Sequence, residues 1–151
     1  MFTDFYQSPI GMMEITATHR GIAGLYFKDK TTVAQPNPLT EKAKAQIGAY
    51  FLGQRDHFDL PLDFKGTIFQ KSVWQALCDI PFGATCSYLD IASKLDNRKA
   101  VRAVGAANGK NPVSIIVPCH RVIGSNGTLT GYAGGLDRKA WLLAHEAPHA
   151  Q

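Results

Sequence analysis

The first part of the chain has a pattern of apolar and polar residues that predicts a small sheet followed by one helix. Leu39 to Leu52 has helical spacing and ends at Gly53, a residue that is common at helix C-termini. Phe58 to Phe64 alternates cleanly, but Pro61 restricts it to an edge strand or an extended linker. Three earlier segments have the residue pattern of strands and are separated by turn residues: Phe2 to Tyr6, Met12 to Thr18 and Ile22 to Phe27.

The pattern becomes helical near Lys65, which predicts a domain boundary that divides the chain into residues 1–64 and 65–151. Thr67 and Gln70 form a capping-box signal for a helix that ends at Pro81, and Ser87 and Asp90 form a second one for a short helix through Leu95. A last helix is predicted from Leu136 to about Glu146. Its inner side is predicted to consist of Leu136, Ala140 and Leu143, and its end is predicted at Pro148.

A further helix, from about Arg98 to Asn108, has small residues on its predicted inner face and basic residues outside. The inner residues are Ala100, Ala103, Val104 and Ala107. Two short helices joined by a tight turn indicate a helix-turn-helix, in which Arg102 is the natural residue to project into DNA. Asn126-Gly127 then predicts a β-hairpin that would serve as a wing.

Ile115, Ile116 and Val117 form an apolar run that predicts a buried strand ending at Pro118, so that Cys119 lies at its rim. We interpret Cys119 as the reactive residue, although free cysteine is often only a small buried hydrophobe. A nearby cation or base raises the thiolate fraction of a thiol, and His120 and Arg121 are both candidates. Cys119 and His120 can cooperate only if the chain turns after Pro118, because consecutive strand residues point to opposite faces.

The composition of the chain limits the classes of protein and of site that are possible. The chain has 151 residues, of which 45% are hydrophobic and 19% charged, as in an ordinary globular protein. No apolar run is long enough for a membrane span and the first ten residues do not resemble a secretory leader, which predicts a cytoplasmic location. The three cysteines include no CxxC pair, so we expect no disulfide framework, metal or cofactor.

The net charge of +4 is unevenly distributed. Residues 1–64 contain six basic and seven acidic residues, so residues 65–151 carry +5. Basic residues cluster around the predicted helix-turn-helix. Such a cluster is usually only a solvent-exposed face, so from charge alone DNA binding is the less common explanation.

The residues around Cys119 resemble a known family signature. Pro118-Cys119-His120-Arg121-Val122 is preceded by Asn111-Pro112-Val113 and followed by Gly131-Tyr132-Ala133-Gly134-Gly135. This arrangement is similar to that of the O6-alkylguanine-DNA alkyltransferases, the methylated-DNA-protein-cysteine methyltransferases. The likeness extends from about Phe69 to Glu146, and the first half of the chain is included mainly by continuity.

The resemblance implies an α+β fold and a function in direct-reversal DNA repair. An RNase H-like N-terminal domain, with a small antiparallel sheet and a helix, would precede a winged helix-turn-helix domain that carries Cys119. Cys119 would accept the alkyl group from O6-alkylguanine, and possibly from O4-alkylthymine, and would not be regenerated. The implied partner is double-stranded DNA, with no obligate protein partner and a monomeric protein.

The resemblance also implies roles for individual residues. His120 would take the thiol proton through a water, Glu146 would orient His120, Asn111 would tether the active-site turn and Tyr88 would donate a proton toward the guanine. The residues implied in DNA binding are Arg98, Lys99, Arg102, Ala103, Gly105 and Arg121. The residues implied in the base pocket are Asn108, Val122, Tyr132, Ala133 and Gly134.

Three other functions are compatible with parts of the sequence. Alkyltransferase-like proteins bind lesions without repairing them, but they replace the cysteine that this chain retains as Cys119. A cysteine hydrolase using Cys119, His120 and Glu146 would need an oxyanion hole and would leave the basic helix unexplained. A transcription regulator would prefer particular unmodified DNA sequences and would tolerate the change Cys119→Ser.

Overall fold

The computed structural model describes residues 1–147 and divides into two compact units, Met1–Lys65 and Gly66–Gln151. The prediction that Pro148 ends the last helix therefore lies outside the described residues. Cys119 and the other candidate catalytic residues all belong to the second unit.

The first unit is a three-stranded antiparallel sheet with one helix packed on it. The strands β1 (Phe2–Ser8), β2 (Gly11–Ala17) and β3 (Ile22–Phe27) follow one another in space as in the chain. Strand β2 is central, and its buried residues include Met13 and Ile15. The three predicted strands are therefore confirmed, with small differences at their ends.

Helix α1 (Pro38–Phe51) covers the sheet. Asn37 caps it, since its side chain accepts from the Thr40 amide at 2.9 Å, and proline at the first position needs no amide partner. Residues 58–64 are mostly extended, with one bridge from Leu62 to Ile22, as expected of a segment interrupted by proline.

The second unit is mainly helical. It contains α2 (Ile68–Leu77), α3 (Tyr88–Lys94), α4 (Val101–Gly109) and α5 (Leu136–Glu146), and a 3₁₀ turn, Arg98–Ala100, precedes α4. The short strands β4 (Cys86–Ser87) and β5 (Val122–Ile123) pair in parallel. Both predicted capping boxes are present, at Thr67 and Ser87. Trp74 is buried, and its indole donates to the Ala107 carbonyl at 2.8 Å, which joins α2 to α4.

The predicted strand at Ile115–Val117 is wrong. These residues are mostly buried, as their apolar character requires, but they form a turn in which the Val117 amide donates to Val113 and the Ile116 amide to Ser114. The turn needs Ile115 at φ +72°, a conformation that is uncommon for a β-branched residue. Apolar content predicted burial correctly, but it did not identify the backbone conformation.

Two other details differ from the sequence predictions. The turn at Asn126-Gly127 forms, with the Gly124 amide donating to the Thr128 carbonyl, but no paired strand follows it within residues 1–147. Ala103 was predicted to lie inside and is exposed, whereas Val104 and Ala107, which were also predicted to lie inside, are buried.

The predicted inner side of α5 is also wrong. Leu136 and Ala140 are exposed and Leu143 is half-buried, whereas Lys139, Leu142 and Glu146 are buried. Two of these three are charged residues with buried polar partners, so hydrophobic periodicity selected the wrong face. No helix within residues 1–147 is both long and apolar enough to cross a membrane.

Candidate active site

Cys119 begins a 3₁₀ turn, Cys119–Arg121, that follows directly after Pro118. The Arg121 amide donates to the Pro118 carbonyl at 3.0 Å, so the chain turns where the sequence argument required a turn. Only 2% of Cys119 is exposed. The turn lets Cys119 and His120 belong to one site, which an extended strand would not allow.

Two asparagine side chains hold the main chain of this turn by hydrogen bonds. Asn111 donates to the Val117 carbonyl at 2.8 Å and accepts from the Val113 amide at 3.0 Å. Asn108 is buried and donates to the Cys119 carbonyl at 3.4 Å. Asn111 therefore holds the main chain just before Cys119, and Asn108 holds the Cys119 carbonyl itself.

The Cys119 thiol is protonated at rest. Burial raises the pKa of Cys119 to about 11, and a hydrogen bond with Asn111 and the charge of Lys139 oppose this only in part. A thiol in this state is a poor nucleophile, so the site needs a base that removes the proton.

His120 and Glu146 form a buried pair, with His120 Nε2 2.7 Å from Glu146 Oε2. Both side chains are at most 1% exposed. Burial by itself would raise the pKa of Glu146, but hydrogen bonds from His120 and Arg121 and the charge of Arg121 outweigh it and hold that pKa well below its usual range. Glu146 is therefore ionised at neutral pH.

The state of Glu146 determines which nitrogen of His120 carries the proton. An ionised carboxylate can only accept, so Nε2 must donate to it. Burial lowers the pKa of His120 despite the opposing effect of Glu146, so the imidazole is neutral at neutral pH. The lone pair is then on Nδ1, which has no hydrogen-bond partner among residues 1–147. His120 is thus arranged as a base whose accepting nitrogen is available.

The prediction that Arg121 binds DNA is wrong. Its side chain is only 7% exposed, and its guanidinium donates to Glu146 at 2.8 and 3.0 Å and to the Ile80 carbonyl at 2.8 Å. A planar guanidinium suits this two-point contact with a carboxylate. Arg121 therefore belongs to the support of Glu146, a role that its position beside Cys119 and His120 did not reveal.

Tyr88 is the first residue of α3, and its hydroxyl lies 2.9 Å from the Thr130 hydroxyl. Gly131 follows Thr130 at φ +38°, and a Cβ there would lie 3.8 Å from the Tyr88 oxygen. The distance is an ordinary van der Waals contact, whereas the backbone conformation favours glycine. Tyr88 therefore contacts the residue that precedes the glycine-rich loop.

The remaining predicted pocket residues differ in exposure. Val122 is fully buried in β5, and Tyr132 is 8% exposed. Burial holds the pKa of Tyr132 above its usual range, so its hydroxyl remains protonated. Ala133 is exposed and Gly134 is half-buried.

The predicted DNA-binding residues lie at α4 and the 3₁₀ turn before it. Arg98, Lys99, Arg102 and Ala103 are exposed. Gly105 is half-buried, and a Cβ there would lie 3.8 Å from the Tyr88 ring. The start of α4 is therefore exposed and basic, and α4 lies beside Tyr88. This arrangement is compatible with the predicted helix-turn-helix role.

The sequence interpretation missed Lys139, which is fully buried on α5. Its Nζ donates to the Val122 and Thr130 carbonyls, each at 2.6 Å. The spacing could have indicated it, since counting back seven positions from a buried Glu146 reaches Lys139 on the same helix face.

A cleft of about 210 Å³ lies elsewhere in this unit, and none of the predicted site residues lines it. Its lining includes Cys86, Asp79 and Lys94. No group of three or more His, Cys, Asp or Glu side chains within residues 1–147 is arranged to hold a metal ion.

Together, the fold and the site define a two-unit protein that combines a helix-turn-helix with a buried cysteine, a neutral histidine and an ionised glutamate. Two family models match the chain: residues 1–64 match the 6-O-methylguanine DNA methyltransferase ribonuclease-like domain, and residues 68–148 match the DNA binding domain of the same family. The chain belongs to the 6-O-methylguanine DNA methyltransferase family, as its resemblance implied, and is a DNA-repair methyltransferase that transfers alkyl groups to cysteine.

Relatives match along nearly the whole chain. The methylated-DNA–protein-cysteine methyltransferase of Methanosarcina barkeri is 48% identical over 97% of both chains. The protein of the same name from Mycolicibacterium paratuberculosis is 47% identical over 95% of this chain and 90% of its own. The crystal structure of the Mycobacterium tuberculosis O6-methylguanine methyltransferase has a TM-score of 0.87 at 43% identity and covers 99% of this chain and 95% of its own.

A further crystal structure shows the Mycobacterium tuberculosis protein OGT in complex with DNA. It has a TM-score of 0.87 at 44% identity and covers 97% of this chain and 94% of its own. These likenesses confirm the predicted fold class, with a ribonuclease-like first domain and a DNA-binding second domain.

Proposed function

We propose that this protein repairs double-stranded DNA by moving the alkyl group of O6-alkylguanine onto Cys119, once per molecule. The observation that carries the proposal is the neutral His120, held by Glu146 through Nε2, with Nδ1 left to accept a proton. Such a base is what a buried thiol with a raised pKa needs in order to react.

His120 Nδ1 takes the Cys119 proton through an intervening water, and Glu146 stabilises the imidazolium that results. The ionised carboxylate is already in contact with His120, so the positive charge forms next to a negative one. Arg121 keeps Glu146 ionised and in place. Asn111 fixes the main chain just before Cys119, which keeps the sulfur aimed at one position.

The thiolate then attacks the alkyl carbon, so that a sulfur–carbon bond forms as the carbon–O6 bond breaks. Negative charge develops on the guanine, and Tyr88 donates a proton toward it. The product is a thioether, and a thioether has no easy leaving group. We therefore expect no regeneration of the thiolate and one reaction per protein molecule.

The proposed partner is double-stranded DNA, bound through α4. Exposed Arg98, Lys99 and Arg102 at the start of this helix, and the charge of +5 on residues 65–151, support an interface with phosphates. The DNA complex of the similar Mycobacterium tuberculosis protein supports the same partner. The target base must leave the stack, and Arg102 is proposed to fill the space it leaves.

The flipped base is proposed to enter a pocket bounded by Val122, Tyr132, Ala133 and Gly134, with Tyr88 at its edge. The contact between Tyr88 and Thr130, immediately before this loop, supports the arrangement. We further propose that the protein acts as a monomer in the cytoplasm and needs no obligate protein partner.

The test is intact mass measurement followed by peptide mapping, after mixing the protein with excess duplex that contains one O6-methylguanine. We expect one added methyl group, on Cys119, and repair that stops at one lesion per protein. The double variant Cys78→Ser/Cys86→Ser should behave as wild type, whereas Cys119→Ser should gain no methyl group. Tight lesion binding without an adduct on wild type would instead indicate a lesion sensor.

The role of Arg102 has its own test. Because flipping a base costs roughly a few kcal/mol, Arg102→Ala should slow repair of duplex DNA by about tenfold or more and should leave the reaction with free O6-benzylguanine unchanged. Arg20→Ala removes an exposed arginine from the first unit and is the matched control. Equal losses on the two substrates would refute the flipping role.

A further inference from the structure

The cleft of about 210 Å³ in the second unit lies between the C-terminal end of α2, the loop that follows it, β4 and α3. Its buried lining residues are all apolar: Ala76, Ile80 and Ile91. Sites for drug-sized ligands occupy roughly 300–1,000 Å³ and are mostly apolar, with a few polar groups that fix the ligand's orientation. The cleft therefore has the lining of a ligand site but suits a smaller molecule.

Three charged residues line the exposed part of the cleft, Asp79, Asp90 and Lys94. Lys94 Nζ lies 2.6 Å from Asp79 Oδ2, so these two charges compensate each other. Asp90 Oδ2 accepts from the Ser87 amide at 2.8 Å, but Asp90 takes part in no ion pair within residues 1–147. One uncompensated negative charge therefore remains beside an apolar lining.

The thiol of Cys86, which also lines the cleft, experiences the same charges. Burial raises the pKa of Cys86 to about 11, the charge of Asp90 contributes to this increase, and the charge of Lys94 opposes it. The electrostatic environment of the cleft is thus unfavourable for an anion, in agreement with the charges that line it.

We propose that this cleft is a second ligand site, which binds a small apolar molecule that carries one positive charge. The apolar part of the ligand would contact Ala76, Ile80 and Ile91, and its cationic group would pair with Asp90. Burying an apolar group supplies affinity, and the single carboxylate without an ion-pair partner selects the charge of the ligand.

The cleft is separate from the proposed alkyl-acceptor site but shares part of its framework. Ile80 lines the cleft, and its carbonyl accepts from Arg121 at 2.8 Å. Cys86 pairs in register with Val122, which directly follows the Cys119–Arg121 turn. A bound ligand would therefore contact segments that support the active-site turn, without touching Cys119 itself.

Three test compounds separate the contribution of charge from that of shape. Benzamidine, benzamide and benzoate share an aromatic ring and a planar head group, and are positive, neutral and negative. Binding is followed by the amide chemical shifts of ¹⁵N-labelled protein. We expect benzamidine to bind with a Kd on the order of 1 mM, as its few atoms allow. Benzamide should bind about fivefold more weakly, the upper limit for an exposed ion pair, and benzoate more weakly still.

Asp90→Asn tests the charge assignment, because it removes the negative charge and keeps an oxygen for the Ser87 amide. In this variant benzamidine should bind no more tightly than benzamide. Asp96→Asn is the matched control, at an exposed position that does not line the cleft, and asparagine tolerates its φ of +58°. Equal affinities of benzamidine and benzamide for the wild-type protein, or a preference for benzamidine that persists in Asp90→Asn, would refute the proposed ligand class.

The wild-type protein tests the location of the site without any substitution. Iodoacetamide alkylates thiols at about pH 9, and peptide mapping gives separate rates for Cys86 and Cys78. Saturating benzamidine should slow alkylation of Cys86 by about fivefold or more, because a bound molecule occupies the cleft that this thiol lines. Cys78 is exposed and does not line the cleft, so its rate should not change. An unchanged rate at Cys86 would refute the cleft as the binding site, and neither measurement depends on alkyl transfer.

Discussion

Glu146→Gln tests the central electrostatic feature of the site, because it removes one charge and almost no volume. The carboxylate is 1% exposed and accepts from His120 at 2.7 Å and from Arg121 at 2.8 and 3.0 Å. Glutamine keeps one oxygen for Arg121 but presents an amide N–H₂ group to the remaining N–H donors. The guanidinium of Arg121 is then buried without its counter-charge.

Breaking a buried ion pair on one side costs about 3–5 kcal/mol, and we expect the lower end because one acceptor remains. With a urea slope of about 2 kcal/mol/M, a loss of about 3 kcal/mol lowers the unfolding midpoint by about 1.5 M. Both tryptophans, Trp74 and Trp141, lie in the second unit, so their fluorescence follows the unit that contains Glu146. Asp137→Asn, at an exposed position in the first turn of the same helix, is the control and should cost at most about 0.5 kcal/mol.

The difference between wild type and Glu146→Gln must also depend on pH. The pKa of Glu146 in the folded protein lies below its ordinary value of 4.5, so the folded state favours the ionised form. The stability that the carboxylate contributes is complete above about pH 4.5 and is lost as the pH falls further toward the folded pKa. The two unfolding midpoints should therefore converge in acid. A loss no larger than that of Asp137→Asn, or one that is independent of pH between 7 and 3.5, would refute the reasoning.

Three further predictions concern other contacts of the second unit. Trp74→Phe removes the indole donor of the Ala107 carbonyl, which keeps the Lys110 amide at 3.2 Å, and should destabilise this unit by about 0.5–1.5 kcal/mol in urea unfolding, with an unchanged midpoint contradicting that role. Asn111→Ala removes three hydrogen bonds to the main chain before Cys119, so the rate of alkyl transfer should fall by about tenfold or more. The rate is measured from the mass of the adduct against time, and a wild-type rate would show that this tether is dispensable. Tyr88→Phe should slow transfer from free O6-benzylguanine while changing the free energy of unfolding in urea by at most about 1 kcal/mol, since Thr130 is the only hydrogen-bond partner of its hydroxyl within residues 1–147. An unchanged rate would remove the proton-donor role.

Much of the fold could be predicted from the sequence because its local signals agree with the tertiary structure. The strands β1 to β3 and the capped starts of α2 and α3 follow from alternation and from hydrogen bonds between residues three apart. Such signals depend on residues that are close in sequence, so each helix or strand can be predicted from its own segment.

The errors have a different origin. The turn around Ile115 depends on side-chain contacts of Asn111 with the main chain of Val113 and Val117, which apolar content does not reveal. The buried face of α5 depends on carbonyls and side chains that lie elsewhere in the chain. A polar residue can be buried where other parts of the fold supply hydrogen-bond or ion-pair partners for it. The local sequence pattern does not identify those partners. The sequence therefore predicted Cys119 and its neighbour His120 from local features and the role of Glu146 through the family resemblance, but it missed Lys139 and misassigned Arg121.

The burial of Cys119 has a consequence for the working life of the protein. If the proposed single transfer holds, the protein is consumed by its first reaction and must remain unreacted until it meets its target. Oxidants and stray electrophiles react with accessible thiolates, and Cys119 is both enclosed and protonated at rest, whereas Cys78 is exposed. The same enclosure that raises the pKa of the sulfur thus protects it before it meets its target, and in the proposed mechanism His120 removes the proton that keeps it unreactive.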